Sequence, residues 1–273
     1  MKKIFIVALS FTCLICAGCF QAEFDLIITS DGAVVRNWKV IGTAPYSRQI
    51  EDWRANNEKL FPDLKVKPVT KENMLGYEFT LNYPDIESFA KSHSEIYSAH
   101  IGKNKGVSRY KAWFFDEYDF DFCSIVAPTA LPPESDYIAQ AAIGNFVYEL
   151  TIQLPYSAEN QNADEISADG KVLKWNLAPV LIHGGERHMN ARFKIWHRDK
   201  IVLTATVELL LLAAAIFFFV KARTETFEDI SKDLRFKRNV FAGLFIALAI
   251  ISAYQILAPV TFTDADIISA AAQ

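Results

Sequence analysis

The sequence predicts an α+β fold: an antiparallel sheet with two packed amphipathic helices and a second strand-rich half, followed by a transmembrane helical hairpin. Three observations carry that expectation. Apolar and polar residues alternate at period two through much of residues 20–198, two stretches there switch to helical spacing, and two apolar runs of about 20 residues follow. Composition agrees: of 273 residues 51% are hydrophobic, and mean hydropathy is +0.12. That is too apolar for an ordinary soluble protein and too polar for a polytopic transporter. Net charge is −4, and residues 20–198 hold 19 Lys/Arg against 24 Asp/Glu, or −5. This excludes a basic footprint for nucleic acid and any general attraction to anionic lipid.

At the N-terminus, Lys2 and Lys3 precede an apolar run over residues 4–16, which reads as an export signal covering residues 1–18. Ala17 and Gly18 then place small residues before Cys19, as in a bacterial lipobox, with Cys16 where Leu is usual. Cys19 is therefore the expected lipidation site; ordinary cleavage nearby or an uncleaved anchor are the alternatives. Cys13, Cys16 and Cys19 have the spacing of a metal-cluster motif, but they fall in or next to the signal. If Cys19 is acylated, Cys123 has no intramolecular partner, and the domain must hold without a disulfide.

The exported domain, residues 19–198, opens with a hairpin: Phe24 to Ile28, a turn at Asp31-Gly32, and Val34 to Ile41. Thr43 to Phe61 reads as helix, with Tyr46, Ile50, Trp53 and Leu60 on one face and Pro62 as the stop. Leu64 to Val66 and Tyr77 to Leu81 return to strand. Asp85 caps a second helix that turns Ile86, Phe89, Ala90 and Ile96 inward. Tyr110 to Phe115 and Tyr118 to Ser124 read as a hairpin around Asp116-Glu117, and residues 128–144 as a Pro-containing loop. Phe146, Tyr148, Leu150, Ile152 and Leu154 alternate cleanly, Asp169-Gly170 turns the chain, and Leu173, Trp175 and Leu177 share a face. Met189, Ala191, Phe193 and Ile195 form a last strand that runs almost directly into the first apolar run.

The hairpin comprises helices over 201–220 and 240–260, joined by a cytoplasmic loop over 221–238 and followed by an exported tail over 261–273. Lys221, Arg223, Lys232, Arg235, Lys237 and Arg238 put the loop inside, while the tail carries only Asp264 and Asp266. Arg192, Lys194, Arg198 and Lys200 oppose that orientation, which the export signal enforces. Glu208 lies about 10 Å below the outer end of the first span. A carboxylate at that depth is costly and a functional candidate. Ser252, Tyr254 and Gln255 stand at similar depth on the second span, and Thr204 one turn earlier. Glu208 can pin the hairpin through these groups, serve as a contact in an assembly, or snorkel to the surface.

Phe24 to Val40, together with Leu154-Pro155, Asn162-Ala163 and Leu173-Lys174-Trp175, resembles bacterial lipoproteins of the LppM type. That resemblance implies a lipidated cysteine, an α+β ectodomain and a C-terminal membrane span, and it supplies no catalytic residue. The family usually has one terminal helix; this chain has a second, which leaves the partner open.

No catalytic constellation stands out, and no cofactor or metal site is expected. Asp119 and Asp121 share a strand face where calcium binding is conceivable, but one solvated and one buried face explain the pattern as well. His183-Gly184-Gly185-Glu186-Arg187-His188 reads as a turn rather than a metal site. The leading expectation is a non-catalytic binding or scaffolding module acting on membrane lipid or a protein partner. The alternatives are an accessory subunit of a membrane complex, using the hairpin and Glu208, and a hydrolase whose site the sequence does not reveal.

Overall fold

β1 (Phe20–Ile28) and β2 (Val34–Gly42) form the first hairpin, closed by Thr29 to Ala33, with Gly32 at φ +89° supplying the left-handed turn position. The computed structural model describes residues 20–97, 106–126, 147–183, 185–258 and 260. The expected signal, Cys19, the 128–144 loop and the 261–273 tail lie outside the described residues, as do the side chains of Ile96, Cys123 and His183. The described chain forms two compact units, residues 20–109 with 118–195, and 110–117 with 196–260.

In the first unit, β3 (Lys65–Lys71), β4 (Met74–Tyr83), β7 (Val147–Gln153), β9 (Glu165–Ile166) and β10 (Val172–Asn176) join β1 and β2 in a seven-stranded sheet. Its order is β3-β4-β2-β1-β7-β10-β9. The fold class is α+β as expected, but this sheet is mixed. β1 and β7 run parallel, in register from Gln21↔Val147 to Ile27↔Gln153. No tight turn joins these two strands, so nothing forces the antiparallel pairing that a hairpin imposes. A second sheet has the order β5 (Gly106–Lys111), β6 (Phe115–Val126), β11 (Gly185–Trp196), β8 (Asn160–Gln161). A short helix, numbered α3 (Ala178–His183), precedes β11.

Register explains the core. Trp38 pairs with Phe79 across β2 and β4, and their rings stack at 5.3 Å. Helix α1 (Ser47–Leu60), entered through a 3-10 turn at Ala44–Tyr46, sets Trp53 edge-on to both rings. Ile50 is buried as the spacing predicts, but Leu60 is 64% exposed: the helix ends there, so its last turn has no sheet beneath it. Helix α2 (Ile86–Tyr97) buries Ile86, Phe89 and Ala90, and Phe89 meets Tyr83, Phe120 and Phe122. Among the described residues, both helices thus turn apolar side chains into the core.

The opposite face of the large sheet is charged. Glu23 and Glu149 face each other across the parallel pair, and each is neutralised by its own lysine, Lys39 at 2.6 Å and Lys174 at 2.8 Å. The hydrogen bond to Glu149 holds the Lys174 ammonium above its usual pKa.

Asp116-Glu117 is not the turn. The chain reverses at Ala112 to Phe114, where Ala112 N–H donates to the Phe115 carbonyl; Asp116 and Glu117 belong to β6, and Glu117 is buried. Apolar side chains decide the placement: Phe115, Tyr118, Phe120 and Phe122 are all buried, and a turn at 116–117 would expose part of that set.

In the second unit, α4 (Arg198–Thr224) and α5 (Glu228–Leu257) are long and apolar enough to cross a membrane by length and composition. Both helices continue through much of the segment expected as a loop, which shrinks to Glu225–Phe227. Lys, Arg and Glu are good helix formers, and the ion pairs Lys232–Glu228 and Lys237–Asp233 extend α5 below its apolar run.

Candidate functional site: polar groups in the helical hairpin

Helix α4 turns Thr204, Glu208, Leu211, Ala215, Phe218 and Ala222 toward α5, in steps of four and three. α5 answers with Ser231, Leu234, Arg238, Phe241, Phe245, Leu248, Ser252 and Gln255. This is a heptad seam between antiparallel helices. Phe218 stacks on Phe241 at 5.5 Å, and Ser231 Oγ donates to the Ala222 carbonyl at 3.1 Å. Alanine at 215 and 222 keeps the backbones close.

The seam carries the polar residues singled out in the sequence. Ser252 Oγ donates to Glu208 Oε1 at 3.1 Å. Gln255, one turn further along α5, has a buried Oε1 that accepts no hydrogen bond from the described residues. Thr204 occupies the seam position one turn before Glu208. Tyr254 does not join this group; it is 73% exposed and points away from α4. Of the sequence-selected residues, Glu208, Ser252 and Gln255 therefore share the seam, Tyr254 stands outside it, and Cys19 is not described.

Around the start of α4 lies a second polar cluster, which the sequence reading missed. Trp113, at the tip of the β5–β6 turn, donates from Nε1 to Thr204 Oγ1 at 3.3 Å. Lys200 Nζ sits 5.3 Å from the centre of the Trp113 ring. His197 N–H donates to the Phe114 carbonyl, His197 Nε2 lies 3.3 Å from Asp116 Oδ1, and Trp196 meets Phe115 edge-on at 5.2 Å. Nothing in the sequence singles out Trp113, because Phe115 follows it at strand spacing and the pair reads as one apolar strand face. At the other end of the hairpin, Arg223 and Arg238 both approach the Phe219 ring, at 4.7 and 5.8 Å.

The charged residues considered for metal chemistry are engaged otherwise. Asp119 pairs with Arg192 at 3.1 Å, and Asp121 faces His188 at 3.8 Å. Among the described residues, no group of three or more His, Cys, Asp and Glu is placed to hold a metal.

No protein-family model matches the chain, and no curated protein matches its sequence. Among solved structures it is similar to the folded domain of Mycobacterium tuberculosis LppM. Identity is 13% and the TM-score 0.40, over 67% of this chain and 93% of that one. A likeness of that size carries no conclusion about activity.

Proposed function

We propose that the chain is a membrane-anchored envelope lipoprotein, a non-catalytic binding or scaffolding module that acts at the outer face of a cytoplasmic membrane on lipid or a protein partner. The observation that carries this reading is the outward surface of the hairpin. Leu209, Leu210, Ile216, Phe217, Ile246 and Ile250 are each more than half exposed, and they leave an apolar face that lipid would cover and water would not tolerate. Lys221 to Arg238 then face the cytoplasm, the domain and the tail face outward, and acylated Cys19 is the second tether. Only His197 separates β11 from α4, so the tether contains no slack.

Impermeant thiol reagents in a cysteine-free background test the topology. Ser231 is a poor probe, because it is buried with its hydroxyl engaged. Glu228, 82% exposed, is a better one. The Ser269→Cys variant should label in cells whose outer barrier, if present, has been opened, and Glu228→Cys should label only after lysis. Labelling of Glu228→Cys before lysis overturns the orientation. Intact mass should start at Cys19 plus diacylglycerol, and an unmodified chain starting elsewhere removes the lipid anchor.

A second reading, an accessory subunit of a membrane complex, is favoured by one observation: the Gln255 carbonyl oxygen is buried in the seam and takes no donor from the described residues. The half-buried Glu208 carboxylate would then accept from a third helix, and the Gln255 oxygen would gain a donor only where that helix parts the seam. Co-purification in mild detergent from cells carrying wild type, Glu208→Gln and Glu208→Leu tests it. A partner retained by wild type and lost with Glu208→Leu supports the reading, and equal recovery with all three removes it.

A further inference from the structure

We propose that the β5–β6 turn is a foot on the membrane: Trp113, Arg198 and Lys200 form a collar around the start of α4 that sits in the headgroup layer and gathers anionic phospholipid through its phosphodiester. The inference rests on the membrane-spanning reading of α4 and deepens it by naming a lipid contact.

Trp113 is placed for this and for little else. It is 49% exposed, whereas Trp38 and Trp175 are fully buried. Its ring is held against α4 by the bond to Thr204, about one turn inside the apolar run that starts at Ile201. An indole with its N–H engaged and its apolar body uncovered is the side chain that favours the water–lipid boundary. The turn also belongs to the same compact unit as the helical hairpin, although the strands that carry it continue into the other unit.

The cations make the collar selective. Four basic residues flank the outer end of α4, where the orientation rule disfavours them. Two are neutralised within the domain, Arg192 by Asp119 and Lys194 by Glu159 at 2.8 Å. Arg198 and Lys200 have no carboxylate partner at ion-pair distance among the described residues. They lie about 200° apart around the helix, so they meet different lipids and form a ring rather than a pocket. The acids nearby are Asp199, exposed between them, Asp116, bonded to His197, and Glu117, which is buried. The domain's overall −5 repels an anionic surface at long range, so the attraction is a local one, within a Debye length of the helix end.

The test uses the full chain reconstituted in vesicles of phosphatidylcholine, with and without phosphatidylglycerol. Lipids brominated near the headgroup end of the acyl chain should quench wild-type tryptophan fluorescence more than that of Trp113→Phe. Spin-labelled phosphatidylglycerol should be preferred over labelled phosphatidylcholine at the protein surface, and each of Arg198→Gln and Lys200→Gln should lower that preference about fivefold. Equal quenching of wild type and Trp113→Phe, in protein that resists carbonate extraction, overturns the foot and leaves the membrane span standing. Extraction by carbonate removes the span, and the collar with it. A phosphatidylglycerol preference that is absent, or unchanged by both Gln variants, overturns the lipid-gathering role.

Discussion

Gly76 shows how one residue can fix a register. In β4 it lies opposite Ile41, and a Cβ built there would stand 1.9 Å from the Val40 carbonyl oxygen and 2.7 Å from the Ile41 Cα. Both obstacles are backbone, so no side-chain rotation can clear the space; the strands would have to part. Gly76→Ala should therefore destabilise the domain by about 3 kcal/mol or more, read as a lower unfolding midpoint of the detergent-solubilised protein. A midpoint within error of wild type would mean that β2 and β4 yield easily. Nothing in the sequence marks this glycine, since the close approach arises only once two distant strands are in register. Gly32 and Gly170 differ: each follows an aspartate between two alternating segments and is legible as a turn without coordinates. Glu208 was legible as well, because a carboxylate inside an apolar run declares itself. Its partner Ser252 could be narrowed only to a helix level, and Tyr254 at that same level faces the other way.

Among the elements, helix α2 is the one whose start the sequence specifies most sharply. Asp85 Oδ1 accepts the Ser88 backbone N–H at 2.6 Å, and that bond holds the Asp85 carboxyl below its ordinary pKa. A depressed carboxylate contributes stability that is fully present above the unfolded value, near 3.8, and is lost as pH falls through the lower folded value. Asp85→Ala should cost about 1 kcal/mol at neutral pH, and the difference from wild type should vanish in acid below the carboxylate range. A gap that persists there would trace the loss to something other than the charged cap. Strands β10 and β11 are readable because one face is buried along each, and β1 and β7 by their apolar alternation, although in β7 only Ile152 is buried. Three things are not readable. The parallel β1–β7 join pairs strands far apart in the chain, and no local turn chemistry marks it. The β5–β6 turn was misplaced because Asp-Glu is good turn chemistry, yet burial of Phe115 and Tyr118 outweighs it. The connection in the helical hairpin reads as a loop on charge alone, although Lys, Arg and Glu are ordinary helix formers.

For the molecule as a whole, the chain from Trp196 into α4 has only His197 between strand and helix. That brevity gives the junction a phase. Each residue added before α4 rotates the helix by about 100° relative to Trp196 and the β5–β6 turn that it packs against. One alanine inserted after His197 should swing Thr204 away from Trp113, while Glu208 and Ser252, which turn together with the hairpin, stay bonded. Four alanines bring the helix back to within about 40° and should restore the Trp113 contact in part, though about 6 Å further along the axis. Fluorescence of Trp113 against insertion length should therefore oscillate rather than decay, and a smooth decay would mean that the joint is a tether and not a gear. A geared joint couples any rotation of α4 and α5 to the position of the β5–β6 turn, which shares their compact unit, so that a contact made on the helices is carried to Trp113.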